Sequence, residues 1–395
     1  MWFKILLLLA PVLTFPGPPR AASCPGMGKT LDDLSSLSSL PKRQTSQQAE
    51  LLADLKILAD DALSVAGWTI KQILSLNRTG APPNDIRTTY NPPGPLGSSE
   101  CHHDTCCIWK YIAEEMAVSF KSPLGQCNQL AHQAIRLGFQ DAGTWSKTAA
   151  GGGADGSVLL AAEERNRPDN SGLEGIAPKM QAWYDKWRHH GAGMADLIQM
   201  AANVATASCP LGPRVRSFVG RNDSSVPAPE GRLPHVTDGA ETLVALFEDK
   251  TISLGELIAL LGAHSVSTQR FVARDHVGPP QDGTPGVWDV SWFNKTIGEN
   301  PPPWMLILQS DLALAAHQGA QEVWAAFAKG AKEAQDAWND VSFSSHHSIE
   351  INTNTNVSGI CRRIRPPQSP RRTGHQRAGG LHGSAANANT VAAFS

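Results

Sequence analysis

The feature that most limits the fold of this chain is its pattern of apolar residues. From Cys101 to about Ser345 helical segments alternate with loops, and the period-two alternation of strands is nearly absent. Apolar residues at steps of three and four share one face of an α-helix. The body is therefore predicted to be mostly α-helical, with helices at 108–120, 128–141, 172–187, 195–208, 241–248, 253–264, 305–316 and 319–338.

Two local signals refine this helical pattern. Ser253, followed three residues later by Glu256, has the pattern of a capping box, which marks the start of a helix. Long loops rich in glycine and proline separate the helices at 143–157, 209–236 and 275–287. Loops of this length in a compact domain are usually functional. We therefore expect these loops to be functional.

The start of the chain predicts export. Residues 1–23 pass from a short basic stretch, through an apolar run too short to span a bilayer, to small residues. This order is typical of a secretory signal peptide rather than a membrane anchor. We predict a secreted, extracellular protein with no membrane partner, whose seven cysteines form disulfides by default. The glycosylation sequons that export makes usable lie at Asn77, Asn222, Asn294 and Asn356.

The body is flanked by two segments of different composition. Residues 24–100 are predicted to form an N-terminal extension, with one amphipathic helix at 48–76 and then a linker rich in proline and glycine. Residues 346–395 lack periodicity and are predicted to be a disordered basic tail. The formal net charge of −2 averages an acidic body with basic ends. Because the body has no basic stripe, nucleic-acid binding is excluded.

The first group of residues suited to chemistry lies at the end of one predicted helix. Arg136 and Gln140 are four residues apart and therefore share a helix face. Asp141 ends that helix, and a glycine run then leads to Asp155 and Ser157. Two carboxylates, a hydroxyl and loop carbonyls are the oxygen ligands that calcium takes. A plain glycine turn is the alternative, whereas a phosphate loop is disfavoured because no Gly-Lys-Ser/Thr follows.

Two further groups lie in the second half of the body. His264 ends the capped helix, where it is either a core residue or a metal ligand. Asp311 lies in an otherwise apolar helix and is a candidate partner, because a ligating histidine usually donates its other N–H to a carboxylate. The loop from Asp282 to Asp289 alternates carboxylates with a hydroxyl, and together with Ser265 it predicts a second calcium cage.

These residues belong to short segments whose order along the chain resembles that of the secreted fungal class II haem peroxidases. This group contains the lignin, manganese and versatile peroxidases, and the chain is most similar to its ascomycete ligninase-like branch. The resemblance covers about 101–320. The matching pieces are Cys106-Cys107-Ile-Trp, Gly125-Gln-Cys127, Arg136–Asp141, Gly151–Ser157, Asn170-Ser-Gly-Leu, Ala207-Ser-Cys209-Pro, Gly220-Arg, Pro227-Ala-Pro-Glu-Gly, Gly262–Val266, Asp282–Asp289 and Leu308–Asp311.

The resemblance implies a mostly α, two-domain haem peroxidase fold over 101–345. Haem b lies between a distal part, 101–210, and a proximal part, 211–345. His264 is then the axial ligand of the haem iron, and Asp311 accepts its N–H. Arg136 stabilises the leaving hydroxide as the peroxide bond breaks, and Asn170 orients the distal base.

The resemblance also implies two calcium ions and three disulfides. The ligands of the first ion are Asp141, Gly153, Asp155 and Ser157. Those of the second are Ser265, Asp282, Thr284, Val287 and Asp289. The disulfides are Cys127–Cys209, Cys101–Cys107 and Cys106–Cys361, which leaves Cys24 without a partner.

One departure from the family bears on catalysis. Gln140 stands where the family has the distal histidine, and an amide has no titratable group near neutral pH. Loss of a positioned general base typically costs about 10²–10⁴-fold in rate. The resemblance therefore predicts a slow, monomeric peroxidase that uses hydrogen peroxide to oxidise small phenolic or other aromatic donors. The alternatives are a haem-binding protein with little turnover and a calcium-stabilised secreted binding module without haem.

Two specialised activities of the family are not supported by the sequence. The three acids of its manganese site match Gln129, Gln133 and Ala263, none of which is acidic. The exposed tryptophan that relays electrons in lignin peroxidase matches Ala259. We therefore expect neither manganese oxidation nor relay through that position.

Overall fold

The computed structural model describes residues 90–215, 217–270, 278–298, 301–330, 332–352 and 359–361, together with Ala59 and Val272. Side chains are described up to residue 342. The predicted signal peptide at 1–23 lies outside the described residues, as do all but one residue of the predicted helix at 48–76 and most of the predicted tail.

The described chain is mostly α-helical, as predicted. Its helices are α1 Ser99–His103, α2 Cys107–Ser119, α3 Gln129–Ala142, α4 Ser157–Leu160, α5 Ala162–Arg165, α6 Ile176–Trp187, α7 Met194–Ser208, α8 Ala240–Asp249, α9 Leu254–Leu261, α10 Ser291–Ile297, α11 Gln309–Ala316, α12 Gln321–Ala328 and α13 Lys332–Asn352. Short 3-10 turns cover Pro168–Asn170, Arg188–His190 and Gly262–Val266. None of the helices in the described part is long and apolar enough to cross a membrane.

The helix boundaries confirm some predictions and correct others. The capping box of Ser253 and Glu256 is present in full at the start of α9. The helix predicted at 319–338 is two helices, α12 and α13, because the chain turns at Gly330, whose φ is +67°. That left-handed conformation favours glycine and interrupts a helix. Short helices such as α10 were not predicted, because a segment of two turns shows too little periodicity.

The distal part is built around α3 and α7. Nearly every residue of α7 is buried, and its alanines let α3 approach closely. A Cβ added at Gly138 would lie 2.5 Å from the Cβ of Ala202, so this crossing requires glycine. The close packing fixes the helix that carries Arg136 and Gln140 against the centre of the domain.

The proximal part is built around a buried aromatic cluster. Trp288 and Trp338 stack with ring centroids 4.9 Å apart, and Trp292 and Trp324 are 5.4 Å apart. Trp338 Nε1 also donates to the carbonyl of Ala259 at 2.8 Å, which ties α13 to α9. This cluster therefore supports the helix end that leads into His264.

Several contacts join the two parts. The backbone N–H of Cys127 donates to Gly286 at 3.2 Å, and that of Trp288 donates to Pro210 at 3.0 Å. The rings of Phe139 on α3 and Phe247 on α8 stack at 6.2 Å. Together these contacts fix the relative positions of the distal and proximal parts.

The end of the described chain differs from the sequence prediction. Helix α13 continues to Asn352, and β2 Gly359–Cys361 pairs antiparallel with β1 Ser217–Val219. Residues 346–352 and 359–361 therefore form secondary structure, although the whole segment 346–395 was predicted to be disordered. A three-residue strand is held by backbone hydrogen bonds, and it is too short to leave a side-chain pattern.

Candidate active site

The distal face of the site is carried by α3. Asn128 caps the start of this helix by accepting from the N–H of Ala131 at 3.1 Å. Arg136 donates from Nη2 to the carbonyl of Asp169 at 2.8 Å, and Gln140 donates from Nε2 to the same carbonyl at 2.5 Å. The predicted shared face is thus confirmed, and one loop carbonyl holds both side chains.

Asn170 does not contact Gln140 in the way that the resemblance implied. Its Nδ2 donates to the carbonyl of Glu164 at 2.8 Å, and its Oδ1 is buried without a hydrogen-bond partner among the described residues. The side chain of Gln140 instead donates one N–H of its amide to the carbonyl of Asp169. The residue that orients position 140 is therefore Asp169, through its backbone.

Arg136 places a positive charge on this helix face. Its side chain reaches solvent, and desolvation lowers the pKa of its guanidinium, against the opposing effects of the Glu174 and Asp169 charges. An arginine remains charged in proteins. The distal face of the site therefore carries a fixed positive charge.

His132, also on α3, does not replace the missing distal histidine. Both of its ring nitrogens are buried and have no hydrogen-bond partner among the described residues. Burial lowers the pKa of His132 to about 4. This imidazole is therefore neutral at physiological pH and is not connected to Gln140.

The proximal face is carried by the 3-10 turn that follows α9. His264 Nδ1 lies 3.1 Å from Oδ2 of Asp311, a carboxylate that is only 1% exposed in the first turn of α11. Burial acts to lower the pKa of His264, but the charge of Asp311 and the hydrogen bond to it raise the pKa overall. The tautomer follows from this partner, with the proton on Nδ1.

The other ring nitrogen of His264 is available for a ligand. Among the described residues Nε2 makes no hydrogen bond, and the side chain is 29% exposed. The edge of the Trp292 ring packs against the imidazole at a centroid distance of 5.7 Å. A core histidine would normally have both nitrogens satisfied. An imidazole held by a carboxylate on one side and open on the other is typical of a metal or haem ligand.

The predicted ligands of the first calcium ion lie at the end of α3 and in the glycine loop that follows it; we call them the first cage. Gly152 and Gly156 have φ of +76° and +78°, a left-handed conformation that favours glycine, so these two glycines are needed for the turn. A turn alone does not explain Asp141, whose pKa is raised well above its usual value by burial and by the charge of Asp155. The Oγ of Ser157 is also buried without a partner among the described residues.

The chemistry of this first cage fits a cation. Burial likewise raises the pKa of Asp155, against the hydrogen bonds that it accepts from Ser157. Neither Asp141 nor Asp155 forms a salt bridge within the described part of the chain. A bound cation would offset the repulsion between these carboxylates and give the Ser157 hydroxyl a partner.

The second cage is built on the loop before α10. Thr284 Oγ1 lies 2.7 Å from Oδ2 of Asp282 and 2.8 Å from Oδ2 of Asp289. Ser265 Oγ is buried and has no partner in the described region. Val287, expected to contribute its carbonyl, donates its N–H to Thr284 at 2.9 Å.

A lysine that was not predicted from the sequence lies at this second cage. Lys295 Nζ lies 3.0 Å from Oδ1 of Asp282, which is fully buried, and 2.9 Å from Oγ of Ser291. Its only signal in the sequence was its position four residues after Ser291, one helical turn away. No group of three or more His, Cys, Asp or Glu side chains in the described chain is arranged to hold a metal. Both cages therefore depend on pairs of carboxylates with hydroxyl and carbonyl oxygens.

The disulfides that brace the distal part follow the prediction. Cys127–Cys209 and Cys101–Cys107 are both formed. Cys106 is also disulfide-bonded. Its predicted pairing with Cys361 remains a prediction, since the side chain of Cys361 lies outside the described part.

Comparison with known proteins identifies relatives over this same region. The pattern of the family described as Peroxidase matches residues 113–330. A low-redox potential peroxidase of Taiwanofungus camphoratus is 29% identical, over 56% of this chain and 68% of the relative. Manganese peroxidase 3 of Phlebia radiata is 31% identical, over 54% and 65%. Ligninase A of Phanerodontia chrysosporium is 32% identical, over 49% and 53%. The chain thus spans between about half and two thirds of the length of these relatives.

Proposed function

Because this chain belongs to the peroxidase family, we propose that it is a secreted, monomeric haem peroxidase that oxidises small phenolic or other aromatic donors with hydrogen peroxide, and that it does so slowly. The observation that carries the proposal is the pairing of His264 with Asp311, which leaves Nε2 free for iron. Arg136 and Gln140, fixed on one helix face, are the groups available to act on peroxide.

The residues on the proximal side fit haem b. His264 would hold the iron through Nε2, and the bound haem would supply the redox chemistry that the side chains lack. Asp311 keeps the proton on Nδ1, orients the ring and makes the imidazole a stronger donor. The aromatic packing of Trp292 restricts the ring further.

On the distal side Arg136 and Gln140 have different tasks. The guanidinium of Arg136 keeps its charge and would stabilise the negative charge that develops on the departing peroxide oxygen. Gln140 donates from Nε2 to the Asp169 carbonyl, which fixes the orientation of the amide. Its Oε1 is the atom that can accept a hydrogen bond from peroxide. An amide oxygen can orient a peroxide O–H but cannot take its proton, and for this reason we propose slow turnover.

The proposed electron donor follows from the side chains at the positions of the family's manganese site. Gln129 and Gln133 offer neutral amides, and Gln129 Oε1 accepts from Thr268 Oγ1 at 3.1 Å. Neutral amides bind a divalent cation much more weakly than carboxylates. Although some relatives are named manganese peroxidase, these positions lack the carboxylates that would hold a manganese ion, and a small aromatic donor is the alternative that we propose.

Calcium has a structural place in this proposal. Asp141 directly follows Gln140 and accepts from the N–H of Gly156 at 3.0 Å. A calcium ion between Asp141, the Gly153 carbonyl, Asp155 and Ser157 would tie the glycine loop to the end of α3 and hold Gln140 in place.

A second candidate function is haem binding with little peroxidase turnover. The hydrogen bond from Gln140 to Asp169 favours it, because this bond commits one of the two N–H donors of an amide that cannot take a proton from peroxide. The third alternative, a binding module without haem, is disfavoured by the free Nε2 of His264.

The test is reconstitution of the full chain with haem and calcium, followed by absorption spectroscopy. We expect a Soret band in the wild type and its loss in His264→Ala. His317→Ala is the matched control, because His317 pairs with Glu241 at the surface and should leave the band unchanged. A wild type that takes up no haem, or a His264→Ala variant that binds it equally well, would refute the proposal.

A further inference from the structure

The two carboxylate cages differ in whether a positively charged side chain lies beside them. We call the first cage (Asp141, Gly153, Asp155 and Ser157) the distal cage and the second (Ser265, Asp282, Thr284, Val287 and Asp289) the proximal cage. In the distal cage Asp141 and Asp155 have no salt bridge in the described part of the chain. In the proximal cage the ammonium of Lys295 lies 3.0 Å from Asp282 Oδ1. A positive charge of the protein thus already neutralises part of one cage and none of the other.

The position of Lys295 is built into the local structure. Its Nζ also donates to Ser291 Oγ at 2.9 Å, one turn earlier on α10. A Cβ added at Gly283 would lie 2.6 Å from this Nζ, so the glycine leaves the space that the ammonium occupies. The lysine side chain is 29% exposed, whereas the carboxylate of Asp282 is fully buried. A buried carboxylate keeps such a partner because an unpaired charge there is costly.

The other oxygens of the proximal cage are only partly satisfied by the protein. Asp282 Oδ2 accepts from the N–H of Thr284 at 3.1 Å, and Asp289 Oδ1 accepts from the N–H of Ser291 at 2.8 Å. The Thr284 hydroxyl can donate its single proton to either Asp282 Oδ2 or Asp289 Oδ2, and Ser265 Oγ has no partner among the described residues. The cage thus keeps some capacity for a cation, but one oxygen of Asp282 is committed to Lys295, and the ammonium repels any second positive charge nearby.

We propose that Lys295 is a built-in cation of the proximal cage, so that this cage binds calcium much more weakly than the distal cage. This inference rests on the calcium binding assigned to the distal cage under the proposed function. Lys295 also links the Asp282 loop to α10, whose Trp292 packs against His264. The support of the proximal histidine is therefore expected to persist when calcium is removed.

The experiment is calorimetric titration of calcium into the calcium-depleted full chain. For the wild type we expect one tight site and a second site weaker by about tenfold or more. Asp141→Asn should remove the tight site and so assign it to the distal cage. Lys295→Met should tighten the weak site by about tenfold or more, because the repelling charge is gone.

Two variants serve as controls. Lys295→Arg keeps the charge and should keep the wild-type difference between the sites. Lys332→Met removes an exposed lysine that pairs with Asp336 on α13 and should change neither site. If Lys295→Met does not fold without calcium, Lys295→Gln keeps a polar contact without the charge and carries the same prediction.

The outcomes separate this inference from the proposed function. Two equally tight sites in the wild type, with no change in Lys295→Met, would overturn the inference and leave the calcium assignment intact. Binding of no calcium at all would overturn both. A single tight site that becomes two in Lys295→Met would support the inference.

Discussion

The proximal and distal faces of the site are built to different degrees of completeness. On the proximal face His264 has its carboxylate partner, a fixed tautomer and a free nitrogen. On the distal face Arg136 is in place, but Gln140 has no titratable group and donates one N–H of its amide to the Asp169 carbonyl. Under the proposed function, one face therefore offers a free imidazole nitrogen for the haem iron, whereas the other has no titratable side chain to move a peroxide proton.

This difference separates two properties that usually occur together. Haem binding depends on the proximal face, and the rate of peroxide cleavage depends on the distal face. Substitutions on the two faces should then have different signatures. Distal changes should alter the reaction with peroxide at constant haem content, and proximal changes should alter haem affinity as well.

Among the substitutions that remove a functional group, the largest effect is expected at Arg136. Arg136→Leu removes the positive charge beside the departing oxygen and should slow the reaction with peroxide by about 10²–10³-fold. Haem content, measured from the Soret band, should stay the same. Arg167→Leu is the control, since Arg167 also donates to a backbone carbonyl, that of Ala228 at 2.6 Å. Equal rates for the wild type and Arg136→Leu would mean that the distal face makes no contribution at all.

A smaller effect is expected at Asp311. Asp311→Asn keeps the size of the side chain but removes the charge that holds the proton on His264 Nδ1. Loss of such a partner typically costs about 10–100-fold in metal affinity or activity. Haem titration measures the change, with Asp238→Asn as a control on a half-buried loop carboxylate that accepts from the N–H of His235. Unchanged haem affinity in Asp311→Asn would contradict the idea that the proximal pair is functional.

The smallest effect concerns acid stability, where the two faces differ in sign. The folded pKa of His132 on the distal side is lowered to about 4, so the unfolded chain binds its proton first as the pH falls below about 6.5. The contribution of neutral His132 to the free energy of unfolding is therefore present above the pKa of the unfolded chain and is lost as the pH falls. In the haem-free chain the folded pKa of His264 is raised, and its contribution to stability is instead present at low pH and is lost as the pH rises.

His132→Gln should therefore reduce acid lability. We expect the difference in melting temperature between pH 7 and pH 5 to shrink in the variant, corresponding to about 1–2 kcal/mol. Thermal unfolding followed by circular dichroism measures it, and His189→Gln is a control at a surface 3-10 turn. A wild type that is equally stable at both pH values would contradict a buried, neutral His132.

The sequence was most informative where chemistry and periodicity coincide. Arg136 and Gln140 share a helix face because they are four residues apart, and Ser253 with Glu256 marks the start of α9. The pairing of His264 with Asp311 was predicted because an ionisable group in an apolar helix requires a partner. Each of these signals is local or follows from a single strong energetic penalty.

The sequence was least informative where contacts depend on exact backbone positions. The Asp169 carbonyl that holds Gln140 has no side-chain signal, and neither has the β1–β2 pairing near the end of the described chain. Lys295 reads as an ordinary surface lysine until the loop of Asp282 is placed beside it. Such contacts are set by the tertiary fold and leave no periodic pattern.

If the proximal face is complete, the distal face limits the rate of the reaction with peroxide. Stopped-flow absorption of the haem-loaded wild type and Gln140→His, mixed with hydrogen peroxide, tests this most directly. We predict the same Soret band in both proteins before mixing, and a peroxide-dependent change that is about 10²–10⁴-fold faster in Gln140→His. Equal rates in the two proteins would contradict the claim.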